Sequence, residues 1–333
     1  MMTPSRRLAV LASLQAAAHA AAPPSTAPIA ALIERVLPGA SPHFALTIGP
    51  PASSCDAAAA AGECVALVDT PDGRIGITGT SLPSLGFGLG TYLRSRCNAS
   101  LTWQKTGGLN PRCSASALPK VGPEASRTYS RSVRWTYYQN VVDSSYSFVW
   151  WDVKRWQQEI DWMSLIGINI ALVYTGQEKV LRDVYAQFGV DLANASGALD
   201  FFNGPAFLSW SRGQGQASTG GYDIYHGAET GGALPPWWFE QQAALGRQQA
   251  QRMRELGITT ILRGFEVNVP GQIKDLHPTA NITAQGGAWS GPRPFPRRAP
   301  RSAAATLTKV AALLALTASC AGRSMHWTRS SPS

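Results

Sequence analysis

The stretch that most constrains this chain runs from Arg134 to Glu178, RWTYYQNVVDSSYSFVWWDVKRWQQEIDWMSLIGINIALVYTGQE. Val133 to Val142 is rich in aromatic and β-branched residues, which suits a strand. A polar patch and an aromatic cluster (Tyr146, Phe148, Trp150, Trp151) follow, and Asp152 is placed to cap a helix. In that helix Val153, Trp156, Ile160 and Met163 recur at helical spacing, and Gly167 stops it. Ile168 to Tyr174 is then an almost wholly apolar run of strand length. Strand, amphipathic helix and buried strand make a βαβ unit, which requires a parallel sheet. Gly176, Gln177 and Glu178 lie just past the second strand, where α/β folds place their ligand-contacting loops.

The same alternation continues downstream. Val180, Leu181, Val184, Tyr185 and Phe188 share a helical face, and a Gly/Ser/Gln-rich loop spans Ser211 to Gly232. Pro235 and Pro236 open a long helix through Leu256, closed by Gly257, and Ile258 to Phe265 is a third strand. This pattern predicts a (β/α)8 TIM barrel, a fold that takes about 250 residues. Arg127 to Gly291 supplies about 165, enough for three strands and their helices. Upstream, residues 28–124 read as a small α/β domain. Ile29, Leu32, Ile33 and Val36 form a helical face, Phe44 to Ile48 and Gly73 to Gly79 are strands, and a Gly-rich turn enters a helix ending near Arg96. Gly86, Gly88 and Gly90 have the look of a phosphate cradle, but the spacing lacks its continuation and no P-loop lysine follows. Tight packing of a helix on a sheet is the expected role. Gly107 to Arg127, rich in Gly, Pro and Ser, is the expected linker. The fold class is therefore α/β, a small N-terminal domain followed by an incomplete TIM barrel.

Several blocks carry a family resemblance. YYQNV, SYSFVWWD, W-x-x-EIDWM, GIN-x-AL and GQE, then FFNGPAFLSW (Phe201 to Trp210), LPPWWFEQQ (Leu234 to Gln242) and GI-T-x-ILRGFEVNVP (Gly257 to Pro270), are similar to the family 89 glycoside hydrolases, the α-N-acetylglucosaminidases. The resemblance implies hydrolysis of terminal, non-reducing N-acetyl-α-glucosamine from glycans such as heparan-sulfate-type chains. It implies retention through two carboxyl groups and no cofactor. It also implies an N-terminal domain that does no chemistry. Asn140, Tyr146 and Trp210 match family positions at the sugar, with aromatic faces against pyranose rings and amides against hydroxyls. Val142 stands where some relatives have a pocket cysteine. Gln177 and Glu178 divide evenly between a site and a helix cap. The family's two catalytic glutamates lie at the ends of later strands, so the catalytic residues of this chain are unassigned and it is expected not to turn over. Glu159 and Asp161 are expected to be solvated or helix-packing, Glu266 is given no role, and Trp150, Trp151, Trp156 and Trp162 are expected to pack in the core or between helices. The alternatives are a non-catalytic secreted carbohydrate-binding fragment and a basic-tail polyanion-binding protein.

The ends of the chain and its charge complete the reading. Arg6 and Arg7, the apolar run Leu8 to Leu14 and Ala18-His19-Ala20 read as a signal peptide over residues 1–22. The expected destination is the secretory pathway, ending in a lysosome or vacuole or outside the cell, with no membrane span. Cys55 with Cys64, and Cys97 with Cys113, are close enough in sequence for two local disulfides, with buried thiols as the alternative. Asn98, Asn194 and Asn281 head glycosylation sequons, and no Cys/His grouping has metal-ligand spacing. The formal charge of +9 is not spread over the chain. Arg293, Arg297, Arg298, Arg301, Lys309, Arg323 and Arg329 supply seven of the nine, and Arg6 and Arg7 the remainder. The body is thus near neutral, which argues against a nucleic-acid groove. Residues 292–333 form a basic low-complexity tail, expected to be disordered or not the native continuation of the barrel.

Overall fold

The computed structural model describes residues 25–49, 63–140, 143, 147–148, 150–189, 236–262, 276–279, 282–284 and 294–296. The signal segment, Cys55, Val142, Tyr146, Asn194, Trp210, Glu266, Asn281 and nearly all of the basic tail lie outside them. The first unit begins with helix α1 (Ala27–Val36), where Pro28 occupies the first turn and Ile29, Leu32 and Ile33 are buried. Strands β1 (Phe44–Ile48), β2 (Cys64–Asp69) and β3 (Ile75–Gly79) follow, then helix α2 (Leu82–Arg96), capped by the Ser81 hydroxyl accepting from Ser84 N. A short pair, β4 (Ser100–Leu101) and β5 (Leu109–Asn110), and a one-turn helix α3 (Gly122–Ala125) lead to β6 (Thr128–Ser130). The sheet order is β1-β3-β2-β6, with β1 parallel to β3 and the other pairs antiparallel.

The segment expected as a linker is tied down instead. Cys113 is disulfide-bonded to Cys97, the Pro119 carbonyl accepts from the buried Tyr92 hydroxyl at 2.6 Å, and the Asp69 carboxylate takes the backbone N–H groups of Val121 and Gly122. Thr128–Ser130 then closes the edge of the first sheet, so the chain leaves that unit after Ser130 rather than at Arg127. Nothing in the polar triplet Thr-Tyr-Ser marks it as a strand; its pairing with β2 does. Cys64 is also disulfide-bonded, to a partner outside the described residues.

The second unit holds β7 (Tyr137–Tyr138), helix α4 (Val153–Ile166), β8 (Ile170–Leu172), helix α5 (Gln177–Ala186), helix α6 (Pro236–Glu255) and β9 (Thr259–Ile261). The strands are parallel in the order β7-β8-β9, in register Tyr137↔Ile170 and Ile170↔Thr259. This is the sheet the βαβ pattern predicts, with shorter strands. A side chain extends the ladder at its N-terminal end, where Asn169 Oδ1 accepts from Thr136 N at 2.7 Å and Asn169 Nδ2 donates to Arg134 O at 2.8 Å. Helix α4 is capped as expected, the Asp152 carboxylate accepting from Arg155 N and Gly167 ending it at φ 86°. A final antiparallel pair, β10 (Ile282–Ala284) with β11 (Pro294–Pro296), joins residues on both sides of the composition break at Gly291.

The two units share one core, and the glycines of α2 explain how. A Cβ on Gly88 would meet Val65 and Ile77 of the first sheet. On Gly86 and Gly90 it would meet Ser164 and Leu165, the latter through its backbone carbonyl at 1.8 Å. The expected packing on a sheet is therefore half the answer. The opposite face of α2, bare at Gly86 and Gly90, lets α4 come close through Ser164 and the Leu165 carbonyl. Polar ties reinforce the joint. Arg131 reaches Glu63 in one unit and the Thr136 hydroxyl and Gly167 carbonyl in the other. Asp161 is only 3 % exposed and binds Arg35 of α1 through two hydrogen bonds, at 2.7 and 2.8 Å, and Arg252 of α6 at 3.1 Å. Glu159, also buried, accepts from the Tyr138 hydroxyl and Arg155. Both acids are packing residues within helices, but neither is solvated.

Candidate functional site

In a parallel βα unit the strands rise toward one end and the helices return from it, so the C-terminal strand ends and the helix N-termini share a face. Here that face collects Gln139 and Asn140 after β7, Tyr174 to Gly176 after β8, and the first turns of α4, α5 and α6. Asn140 is exposed on it, in keeping with a ligand-contacting position, whereas its neighbour Gln139 is buried with a side-chain carbonyl that has no hydrogen-bond partner. Gln177, the first residue of α5, is half-buried and also holds its Oε1 without a partner. Both amide oxygens are acceptors at the strand ends where a hydroxyl-bearing ligand could donate. Sequence reasoning passed over Gln139; its place one residue beyond a strand end was the available signal. The Tyr137 hydroxyl donates to the backbone carbonyl of Gln139 at 2.6 Å, and burial together with the neighbouring Tyr174 raises its phenol above the ordinary value. Burial likewise raises the carboxyl of Asp143.

Glu178 behaves differently from Gln177. It is fully buried in the first turn of α5, and its Oε1 accepts from the indole N–H of Trp238 in α6 at 3.1 Å. The geometry gives it a third role beside the site and the helix cap expected of it, a contact between helices. A first-turn carboxylate also suits the positive end of the helix. Gly176 precedes it at φ 87°, and a Cβ there would sit 2.6 Å from the Ala243 backbone, so α5 and α6 approach closely at this corner. Glu178→Gln, which keeps an acceptor for Trp238, is expected to melt close to the parent. Glu178→Ala leaves the indole N–H unpaired in a void and is expected to cost about 2 kcal/mol. Thermal melts of the two variants compare these outcomes.

The tryptophans also divide. Trp156 is buried between Phe148 and Trp151, Trp162 donates to the Leu101 carbonyl at 3.1 Å, and Arg155 stacks 3.9 Å above Trp151. These three pack as expected. Trp150 does not: it is 70 % exposed, its edge meeting Trp238 at 6.0 Å. Among the described residues no cluster of His, Cys, Asp and Glu could hold a metal, and no helix is long and apolar enough to cross a membrane. The sequon residue Asn98 is exposed on the turn after α2, at φ 46°. Asn194 and Asn281, like Tyr146 and Trp210, fall outside the described residues.

Comparison with known proteins agrees with this architecture. The model of the alpha-N-acetylglucosaminidase TIM-barrel domain matches residues 136–307, and that of the alpha-N-acetylglucosaminidase N-terminal domain matches residues 27–120. The human protein alpha-N-acetylglucosaminidase is 38 % identical over 216 residues, 65 % of this chain and 26 % of its own length. A family 89 glycoside hydrolase from Clostridium perfringens, in complex with 2-acetamido-1,2-dideoxynojirmycin, superposes with a TM-score of 0.71 at 26 % identity, covering 88 % of this chain and 31 % of that one. A structure from the same organism, in complex with its substrate GlcNAc-alpha-1,4-galactose, also has a TM-score of 0.71, at 27 % identity, over 88 % of this chain and 30 % of that one. The chain thus spans between a quarter and a third of the length of these relatives. Two consecutive family domains, matched in that order over most of the chain, place this chain in the α-N-acetylglucosaminidase family of α/β TIM-barrel proteins.

Proposed function

We propose that this chain is the N-terminal domain and first barrel segment of a glycoside hydrolase that removes terminal N-acetyl-α-glucosamine from glycans, heparan-sulfate-type chains included. The observation that carries the reading is the face at the C-terminal strand ends, with Gln139, Asn140 and Gln177 on it, inside the segment that matches the family's barrel. Asn140 hydrogen-bonds the sugar, Tyr146 and Trp210 flank its ring, and Gln177 adds an amide. Glu178 acts from beneath by holding α6 in place.

Retaining hydrolysis needs one carboxyl as acid/base and a second as nucleophile, about 5–5.5 Å apart across the scissile bond. Glu159, Asp161 and Glu178 are buried and engaged by Tyr138, Arg35, Arg252, Arg155 and Trp238, so we assign none of these three as acid/base or nucleophile. In this reading the 333-residue chain binds but does not hydrolyse, and both carboxylates come from barrel strands other than the three described. The chemistry needs no cofactor. The reading includes a signal peptide over residues 1–22, passage through the secretory route and glycosylation at Asn98, Asn194 and Asn281. It treats the basic tail as separate from the site. Titration of the chain with N-acetylglucosamine, followed by NMR, tests the proposal beside an assay of release from an aryl N-acetyl-α-glucosaminide. Binding weakened about tenfold in Asn140→Ala is expected, without release. Saturation unchanged in the variant, or no binding by the parent, overturns the assignment of the site; release by the parent overturns the assignment of the carboxylates.

A further inference from the structure

A cleft of about 250 Å³ opens between α4 and α6, with exposed Val153, Gln248 and Gln251 at its rim. It contains none of Gln139, Asn140 and Gln177, and its α6 wall, Leu245 to Glu255, is the half of that helix next to β9. Trp156, Ile160 and Leu245 make the wall apolar in part. Two N–H donors in it find no acceptor among the described residues. Gln249 is 2 % exposed, with its Nε2 buried and unpartnered. Arg252 lies on the same helix face three residues on. Its Nε is in the same state, although its terminal nitrogens are bonded to Glu255 and Asp161. Buried donors are paired as a rule, because an unpaired one has given up water and gained nothing. Two of them in one open cleft mark the place of an acceptor. We propose that this cleft binds a neutral, ring-sized molecule through a carbonyl oxygen, with Gln249 and Arg252 as the donors.

Charge, bonding and size each narrow the class of ligand. Among the described residues Arg252 is the one cation lining the cleft, and Asp161 and Glu255 already balance it. An anion would be repelled by those two carboxylates, with no free cation to offset them. A cation would need an acceptor, and both oxygens of Glu255 are engaged, by Gln251 and Arg252. A neutral oxygen remains, and a carbonyl suits the site better than a hydroxyl. It only accepts, whereas an O–H brings a donor of its own to satisfy. The volume exceeds the ~150 Å³ that takes benzene and falls below the ~300 Å³ of ordinary ligand pockets, which fits one substituted ring. The ring packs on the apolar wall, and its carbonyl oxygen meets the α6 donors. Two sources share this chemistry, a cyclic amide and the acetamido group of an amino sugar.

The test titrates the full chain with δ-valerolactam, N-acetylglucosamine and cyclohexanol, following the Gln249 side-chain amide and the Arg252 Nε–H by NMR. The lactam is expected to shift both signals and to bind about tenfold more tightly than cyclohexanol, which has the ring without the carbonyl. The same shifts with N-acetylglucosamine name the acetamido sugar as the source; shifts with the lactam alone name the cyclic amide. Gln249→Leu, of similar size and without the donor, should abolish binding. It should also raise the melting temperature by about 2–4 °C, since it removes an unpaired polar group. Leu245→Trp, which fills the cleft and leaves both donors in place, should abolish binding as well. Equal binding of the lactam and cyclohexanol, or binding that survives Gln249→Leu, overturns the carbonyl assignment. A lower melting temperature in Gln249→Leu shows the amide to be satisfied already, by water, and overturns the site. So does the absence of any shift with the lactam and N-acetylglucosamine. None of these outcomes depends on Asn140, so the reading of the strand-end face stands or falls separately.

Discussion

Gly90→Ala is expected to be among the most damaging single-methyl changes available in this chain, lowering stability by about 3 kcal/mol. The added carbon would lie 1.8 Å from the carbonyl oxygen of Leu165, a backbone atom in the last turn of α4 that cannot rotate away. Helix propensity works in the other direction, since alanine in a helix gains about 1 kcal/mol over glycine, and the clash outweighs it. The comparison that isolates the cause is Gly88→Ala on the same helix. There the new methyl would meet side chains rather than backbone, the Val65 and Ile77 Cγ2 methyls at 2.6 and 2.8 Å, so the cost is a repacking of the sheet face. Denaturant unfolding should rank the parent first, Gly88→Ala second and Gly90→Ala well below. A Gly90→Ala protein as stable as the parent would mean that α2 and α4 are further apart than described.

Asp161→Leu is the second large effect, expected to cost about 3 kcal/mol. The substitution leaves Arg35 and Arg252 facing an apolar side chain across the joint between the units. Removing one partner of a buried ion pair strands the charge of the other, and that penalty exceeds anything the intact pair contributed. Burial is the largest influence on the Asp161 carboxyl and raises it to about 6, with Arg35 pulling the other way. Because the folded value lies above the unfolded one, folding takes up a proton at this residue between pH 4 and 6. Its contribution is greatest below that window and is lost as pH rises through the folded value. The stability margin of the parent over Asp161→Asn should therefore shrink by about 2 kcal/mol from pH 4 to pH 7. A margin that grows over that range would show the carboxyl to be held below its ordinary value by the two guanidinium groups.

Much of the architecture was legible because it rests on period and punctuation. The α4 helix announces itself by the spacing of Trp156, Ile160 and Met163 between an Asp152 cap and a Gly167 stop, and the structure has both caps. The parallel sheet followed from the apolar run Ile168 to Tyr174 on the far side of that helix, within which the strand spans Ile170–Leu172. Strand lengths were less legible, because Val133 and Trp135 continue the strand-like pattern of β7 without joining its ladder. At the site, half-buried Gln177 could be placed from chain order, just past the second strand, whereas exposed Asn140 was picked out by the family resemblance; both lie beyond C-terminal strand ends.

Residue pattern alone carried the helices, most of the strands, the parallel direction of the second sheet and the family resemblance. These are readable from neighbouring residues along the chain. Whatever depends on atoms distant in sequence came from the assembled fold. It turned the Gly86/Gly90 face of α2 into an interface with α4, and drew Asp161 between two arginines at sequence separations of 126 and 91. It buried Glu178 beneath Trp238 and left Trp150 in solvent, although Glu178 is charged and Trp150 apolar. Burial of a side chain is set by what the rest of the fold brings to it, and its own polarity is only a prior.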